Sequence, residues 1–204
     1  MPLLLELFSG TGSIGKAFAE LGWDVFSIDN DPRANASLCR NILDVTPEDI
    51  PGEPSFIWAS PPCTQYSIAR ANARTPRDLE GSDALVRKTL DLIRFYQGVP
   101  YMIENPHSGL LKSRPVMSGI PMVVLDYCRY SSPYRKRTSI WTEMNWIPSQ
   151  PLCKWDCPAS RGRRHLAHAQ QGSGLKTQDL HRIPHPLCQE IARFVQNTMI
   201  LVLD

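Results

Sequence analysis

Residues 3–15 read Leu-Leu-Leu-Glu-Leu-Phe-Ser-Gly-Thr-Gly-Ser-Ile-Gly. A short apolar run breaks into a glycine turn, after which Ile14, Ala17, Phe18 and Leu21 recur at the spacing of one helix face. The stretch is strand, turn and helix. Gly22 supplies a helix stop, and residues 23–29 read as a second buried strand that ends in an acid, Asp29. A further apolar run, Phe56-Ile57-Trp58-Ala59, ends at Ser60-Pro61-Pro62-Cys63, because proline lacks the amide hydrogen that a central strand must donate. Cys63 is therefore expected on a loop just past a strand.

Leu85, Val86, Leu90 and Ile93, with Leu92 and Tyr96, form a long helical pattern that leads into Tyr101-Met102-Ile103-Glu104 and a stop at Asn105-Pro106. Strands that alternate with helices predict an α/β fold, a doubly wound and mostly parallel sheet with helices on both faces. Such sheets bind ligands beyond the carboxyl ends of their strands, where Gly10, Asp29, Cys63 and Glu104 all fall. Past Val123 the pattern shortens to strand-like pieces at 123–130 and 138–142. Residues 143–178 are rich in Pro, Arg, Gly, Gln and His and show little periodicity, so a loop-rich insertion is expected there. Leu187, Ile191, Phe194, Val195 and Thr198 mark one face of a last helix. The chain thus divides into a main domain over 1–142, the insertion over 143–178, and a C-terminal helical piece over 179–204 that packs back on the main domain.

The 204 residues, 42% hydrophobic, suffice for one sizeable core and exclude a large multidomain machine. A net charge of +2, from 22 basic and 20 acidic residues, announces no nucleic-acid binder by itself. Locally, Arg129, Arg135, Lys136, Arg137, Lys154, Arg161, Arg163 and Arg164 gather with few acids among them, as either a basic patch or a solvated loop. Six scattered cysteines in a chain with ample apolar residues suggest reduced thiols rather than a disulfide framework. The start has no basic n-region, and nothing later approaches the roughly 20 apolar residues of a membrane span. A soluble, intracellular protein without membrane contact is expected, cytoplasmic in a bacterial or phage-infected cell.

The glycine turn has two chemical readings. Residues 10–16 fit the phosphate-loop spacing up to Lys16, which makes a nucleotide triphosphatase the rival. Ala17 opposes it, because that position should offer a hydroxyl to magnesium. Asp29, about 20 residues on, suits the hydroxyl pair of a ribose instead. Cys63, stiffened by Pro61-Pro62, is oriented like a nucleophile and not packed like a small hydrophobe; its thiolate needs nearby positive charge, which Arg135, Arg137 or the following helix can supply. Glu104, between Tyr101-Met102-Ile103 and Asn105-Pro106, sits where a carboxyl group is partly desolvated and able to deliver a proton.

Leu7-Phe8-Ser9-Gly10-Thr11-Gly12, Ser60-Pro61-Pro62-Cys63-Thr64-Gln65, Glu104-Asn105-Pro106 and Arg135-Lys136-Arg137, in that order, resemble the DNA cytosine-5 methyltransferase family in a compact, phage-like form. The resemblance covers residues 3–142, and Ile183-Pro184-His185-Pro186-Leu187 with its helix is similar to the family's last motif. It implies a Rossmann-like fold and S-adenosylmethionine as cofactor. Phe8, Gly10 and Gly12, with Ser9, Thr11, Asn30 and Pro61, would line the methyl donor's site, Asp29 would hold its ribose, and Asp44 would meet its adenine amino group. Cys63 matches the nucleophile, Glu104 the proton donor, and Arg135 and Arg137 the arginines that hold the target nucleotide and the active site. DNA with the target cytosine flipped out is the implied partner of a monomeric enzyme; an RNA substrate and a non-catalytic DNA-binding relative are the alternatives. Glu104-Asn105-Pro106 departs from the commoner Glu-Asn-Val, and the closing motif lacks its usual Gly-Asn.

The target-recognition region, 143–178, is far shorter than in bacterial modification enzymes. Arg161, Arg163, Arg164, Gln170 and Gln171 are its candidate readers of guanine and adenine, for a site of two to four base pairs. No metal site is assigned. Cys153, Cys157, His165 and His168 lie close in the chain, but Cys-x3-Cys followed by His-x2-His is off the usual finger spacing, so zinc stands against a plain loop.

Overall fold

A computed structural model describes residues 1–168 and 174–203. The parallel strands β1 (Leu3–Leu7), β2 (Asp24–Asp29), β3 (Leu38–Cys39), β4 (Phe56–Ala59) and β5 (Tyr101–Pro106) form one side and the centre of a seven-stranded sheet. β6 (Met122–Asp126) lies at the far edge, and β7 (Arg137–Trp141) runs antiparallel between it and β5, giving the order β3-β2-β1-β4-β5-β7-β6. The expected mostly parallel, doubly wound sheet is what forms. Two helices, α1 (Ser13–Ala19) and α4 (His185–Leu203), cover one face and α2 (Leu79–Phe95) covers the other; α3 (Thr177–His181) is a short helix before α4.

Because both faces are covered, the central strands read as unbroken apolar runs. Neighbours in β1 feed opposite layers: Leu4 joins Ile14, Phe18, Leu187, Ile191 and Val195, whereas Leu5 and Leu7 join Val86, Leu90 and Ile93. Burying each such leucine or isoleucine stabilises the fold by about 1.5–3 kcal/mol. Glu6 shares the face of Leu4 and is buried against α1, where a carboxylate is out of place. Burial pushes its carboxyl group up to about 7, against the opposing pull of the Gly15 and Ile14 amide hydrogens. Position 15 has to be glycine for this contact, since a Cβ there would stand 2.6 Å from Glu6 Oε2 and 3.0 Å from Val25 Cγ1.

One expected boundary moves. The strand foreseen at 123–130 stops at Asp126, and Tyr127–Tyr130 winds into a 3-10 turn closed by Ser131 at φ 69°. The ladder ends there because Asp126 is the last residue opposite β7, facing Arg137. Within the expected loop-rich insertion a two-stranded hairpin, β8 (Ser160–Arg161) with β9 (Arg164–His165), turns at Gly162, and Cys153, Cys157 and Ala159 are buried together with Cys128. Gln170 and Gln171 fall outside the described residues. Among those described, no helix is long and apolar enough to cross a membrane.

Candidate active site

Strand register assembles the site. Leu7 pairs with Ile28 on one side and Ala59 on the other, and Ala59 pairs with Ile103. The next residues along, Asp29, Phe8, Ser60 and Glu104, therefore lie in one row across four parallel strands at their carboxyl ends. The row is locked by the Ser9 amide hydrogen donating to the Ile28 carbonyl at 3.2 Å and that of Ser60 to Leu7 at 3.1 Å. The chain leaves β1 in one direction towards β2 and returns on β1's other side at β4, which makes this edge the topological switch point where open α/β sheets bind ligands.

On the glycine side of the row, Phe8, Gly10 and Gly12 all take positive φ (57°, 51° and 62°). A phenylalanine in that region costs on the order of 1–3 kcal/mol and is retained only where surrounding contacts over-determine it. One such contact is Asp29, which accepts the Gly10 amide hydrogen at 2.8 Å and, on its other oxygen, that of Asp31 at 2.8 Å. Each oxygen keeps a lone pair for a ligand hydroxyl. Ser9 Oγ is buried and has no partner among the described residues, so the turn holds a polar group still to be satisfied. A strained turn, an orphaned hydroxyl and a carboxylate at the neighbouring strand end fit a nucleoside-bearing group. Thr11 is half-buried on the turn, Pro61 is buried, and Asn30 and Asp44 are exposed, the latter on the 3-10 turn Ile42–Asp44.

On the other side, the loop carrying Cys63 is pinned at both flanks. Asn105 Nδ2 donates to the Pro61 carbonyl at 2.8 Å, and Arg77 Nη1 donates to the carbonyls of Gln65 and Ser67 at 2.5 and 2.8 Å. The expected stiffness thus comes from side chains as well as from Pro61-Pro62. Burial pushes the partly buried Cys63 thiol up, Lys136 draws it down and Glu104 adds to the rise. Glu104 is itself buried; its Oε1 accepts the Tyr127 hydroxyl at 2.9 Å and lies 3.6 Å from Lys136 Nζ.

The arginines expected beside Cys63 face elsewhere. Arg137 donates to both oxygens of buried Asp126, at 3.1 and 2.9 Å, and Arg135 to one of them at 3.2 Å. Alternation explains it: residues 135 and 137 fall to one side of the extended chain and 136 to the other, so the cation delivered to Glu104 and Cys63 is Lys136. Lys136 also lies over the Tyr127 ring, 4.9 Å from its centroid. Neither Lys136 nor Tyr127 was singled out from sequence. The Arg-Lys-Arg motif was a signal for the lysine, while nothing local marks Tyr127, whose hydroxyl reaches Glu104 only because β7 separates β6 from β5 in the sheet. Cys153, Cys157 and His165 come together, but His168 is exposed and the fourth member is Cys128.

Comparison with known proteins agrees with this geometry. Residues 3–115 match the C-5 cytosine-specific DNA methylase family. A Frog virus 3 protein described as a probable DNA (cytosine-5)-methyltransferase is 32% identical over 213 aligned positions, which span 92% of this chain and 97% of the viral one. Among solved structures, the S. pombe Dnmt2 methyltransferase superposes with a TM-score of 0.52 at 17% identity over 74% of this chain and 53% of its own. The Spodoptera frugiperda DNMT2 mutant gives a TM-score of 0.50 at 18% identity over 81% and 56%. The chain spans about half the length of these structural neighbours, whose likeness establishes the fold. The match over more than half the chain, with the near full-length viral relative, places the protein in the C-5 cytosine-specific DNA methylase family, the enzymes that are DNA (cytosine-5)-methyltransferases.

Proposed function

We propose that the protein methylates carbon 5 of cytosine in DNA through a covalent adduct of Cys63, on a base turned out of the duplex, with S-adenosylmethionine as donor. The observation that carries this reading is the meeting of a pinned thiol, a buried carboxyl group and a lysine at the carboxyl ends of β4 and β5, beside the strained glycine turn of β1. Phe8, Ser9, Gly10, Thr11, Gly12, Asp29, Asn30, Asp44 and Pro61 hold the donor, which supplies an electrophilic methyl group. Asp29 takes the ribose hydroxyls and Ser9 Oγ gains its missing partner.

Carbon 5 of cytosine is a weak nucleophile, and addition of a thiolate at carbon 6 makes it an enamine carbon. Burial and Glu104 keep Cys63 a thiol before substrate arrives. Its proton must leave as the carbon–sulfur bond forms, and ring nitrogen 3 must gain one. Glu104 moves that proton, taking it from the sulfur side and releasing it to nitrogen 3, while Lys136 and the Tyr127 hydroxyl stabilise the carboxylate present before the first transfer and after the second. After methylation, the carbon 5 proton passes to solvent water and Cys63 departs, while Glu104 carries the nitrogen 3 proton back to sulfur, which returns the thiol and the aromatic ring. A base stacked in a duplex exposes neither carbon 6 to Cys63 nor nitrogen 3 to Glu104, so flipping, at a few kcal/mol, is a requirement of the geometry. Exposed Arg161, Arg163, Arg164 and Lys154, with the half-exposed Trp155, present the positive face for phosphates.

The test is incubation of the chain with donor and DNA carrying 5-fluorocytosine, whose fluorine cannot leave as the proton does. Wild type should form a denaturation-resistant adduct and Cys63→Ala none. Bound DNA with donor present and no adduct in the wild type would exclude this mechanism. A parallel arm with tritiated donor and either unmodified DNA or RNA identifies the nucleic acid.

A further inference from the structure

Outside the active site, four metal-binding side chains converge on a place the methyl-transfer chemistry does not use. Cys128 lies in the 3-10 turn after β6, Cys153 and Cys157 in the insertion, and His165 at the end of the β8–β9 hairpin; their ligand atoms all lie within 4.8 Å of one another. The three thiols are buried, and the imidazole is half-buried. Cys153 Sγ stands 3.6 Å from His165 Nε2. Ligands about 2.0–2.3 Å from one ion at tetrahedral angles are separated by roughly 3.5–3.8 Å, so the donors need move little to share a zinc ion. We infer that Cys128, Cys153, Cys157 and His165 form a structural zinc site that fastens the target-recognition segment to the end of the catalytic sheet.

Several features belong to such a site and not to a chance packing of thiols. Ser160 Oγ lies 3.3 Å from Cys157 Sγ, and the Cys153 amide hydrogen is held by Asp126 Oδ2 at 2.9 Å. These are the outer contacts that orient thiolate ligands. Four protein ligands leave no position open for water or substrate, which makes the site structural and not catalytic. Binding releases the thiol protons to solvent and involves no change of oxidation state. The segment around 151–165 buries little besides Cys153, Cys157 and Ala159. A metal therefore supplies the rigidity that its apolar residues cannot.

The site also connects with the catalytic face. The Cys153 amide hydrogen donates to Asp126 Oδ2 at 2.9 Å, and Asp126 holds Arg135 and Arg137 on either side of Lys136. The Arg135 guanidinium in turn lies over the Trp155 ring at 5.3 Å. Sequence spacing hid the set, because Cys128 stands far from the other three in the chain.

The full chain, purified without a polyhistidine tag or chelator, should carry one zinc per molecule by plasma mass spectrometry. Exchange into cobalt should give the intense visible bands of a tetrahedral ion with thiolate charge transfer. Cys128→Ser should lose most of the metal, while His168→Ala and Cys188→Ser keep it. Wild type with well below one zinc per chain and no tetrahedral cobalt spectrum would overturn the inference, and that reading does not depend on whether any variant folds. Full zinc in Cys128→Ser with loss in His168→Ala would overturn the ligand set.

Discussion

At Cys63 the thiol is pushed up by burial and Glu104 and drawn down by Lys136. Lys136→Met should therefore lower kcat/KM near neutrality and move the rising limb of its pH profile to higher pH, so that activity partly recovers in alkaline buffer. An unmoved profile would remove Lys136 from the site. Glu104→Gln keeps an acceptor for the Tyr127 hydroxyl but cannot carry the proton, and it should slow methylation by roughly 100-fold or more while donor binding, measured by calorimetry, stays near normal. Glu6 gives a prediction about stability. Its folded carboxyl group titrates at about 7 against an ordinary 4.5, so the folded state holds the proton more tightly than the unfolded chain. The contribution is complete below about 4.5 and lost as pH rises through about 7, an upper limit of about 3 kcal/mol. Glu6→Gln should thus gain on the wild type between pH 5 and pH 8 in urea titrations, and a difference independent of pH would contradict the assignment.

The element proposed to position the donor is the β1–turn–α1 unit, and its closeness depends on Gly15. Alanine there gains up to about 1 kcal/mol of helix propensity, yet its Cβ would strike Glu6 Oε2 and Val25 Cγ1. The steric term should win, leaving Gly15→Ala less stable by about 1–3 kcal/mol. A double-mutant cycle with Glu6→Ala checks the cause: relief of part of the loss is expected, whereas strict additivity would place the strain elsewhere. The legibility of this unit differs by kind of contact. Its apolar spacing marked strand and helix from sequence, but the meeting of a buried acid with a helical glycine depends on how closely α1 approaches β1. The strand read at 123–130 shows the reverse: its apolar run continues past Asp126, but the ladder to β7 does not.

At the scale of the whole molecule, base edges are proposed to be read by the segment beyond β7, whose described residues from 147 to 168 bury Cys153, Cys157 and Ala159 alone. With each good bidentate contact worth roughly 1–3 kcal/mol of discrimination and some arginines engaged by phosphates, the recognised site should be short, on the order of two to four base pairs. Bisulfite sequencing of plasmid DNA methylated in cells tests this. Modification confined to one site of six or more specified pairs would show that the segment reads far more than its size suggests.

What the amino-acid sequence determined by itself was whatever rests on short-range pattern: the strand, glycine turn and helix at 3–19, the proline-stiffened loop of Cys63, and the carboxyl ends where Asp29, Cys63 and Glu104 would lie. Periodicity and backbone chemistry act within a few residues, so they can be read along the chain. Tertiary structure alone decided which cation faces Glu104, because the side on which residues 135–137 present their side chains follows from the pairing of β7 with β5 and β6. The same pairing brought the Tyr127 hydroxyl to Glu104. It decided likewise that Cys128, and not His168, joins Cys153, Cys157 and His165, since a cluster assembled from distant stretches depends on how the sheet edge folds against the insertion, which no local spacing encodes.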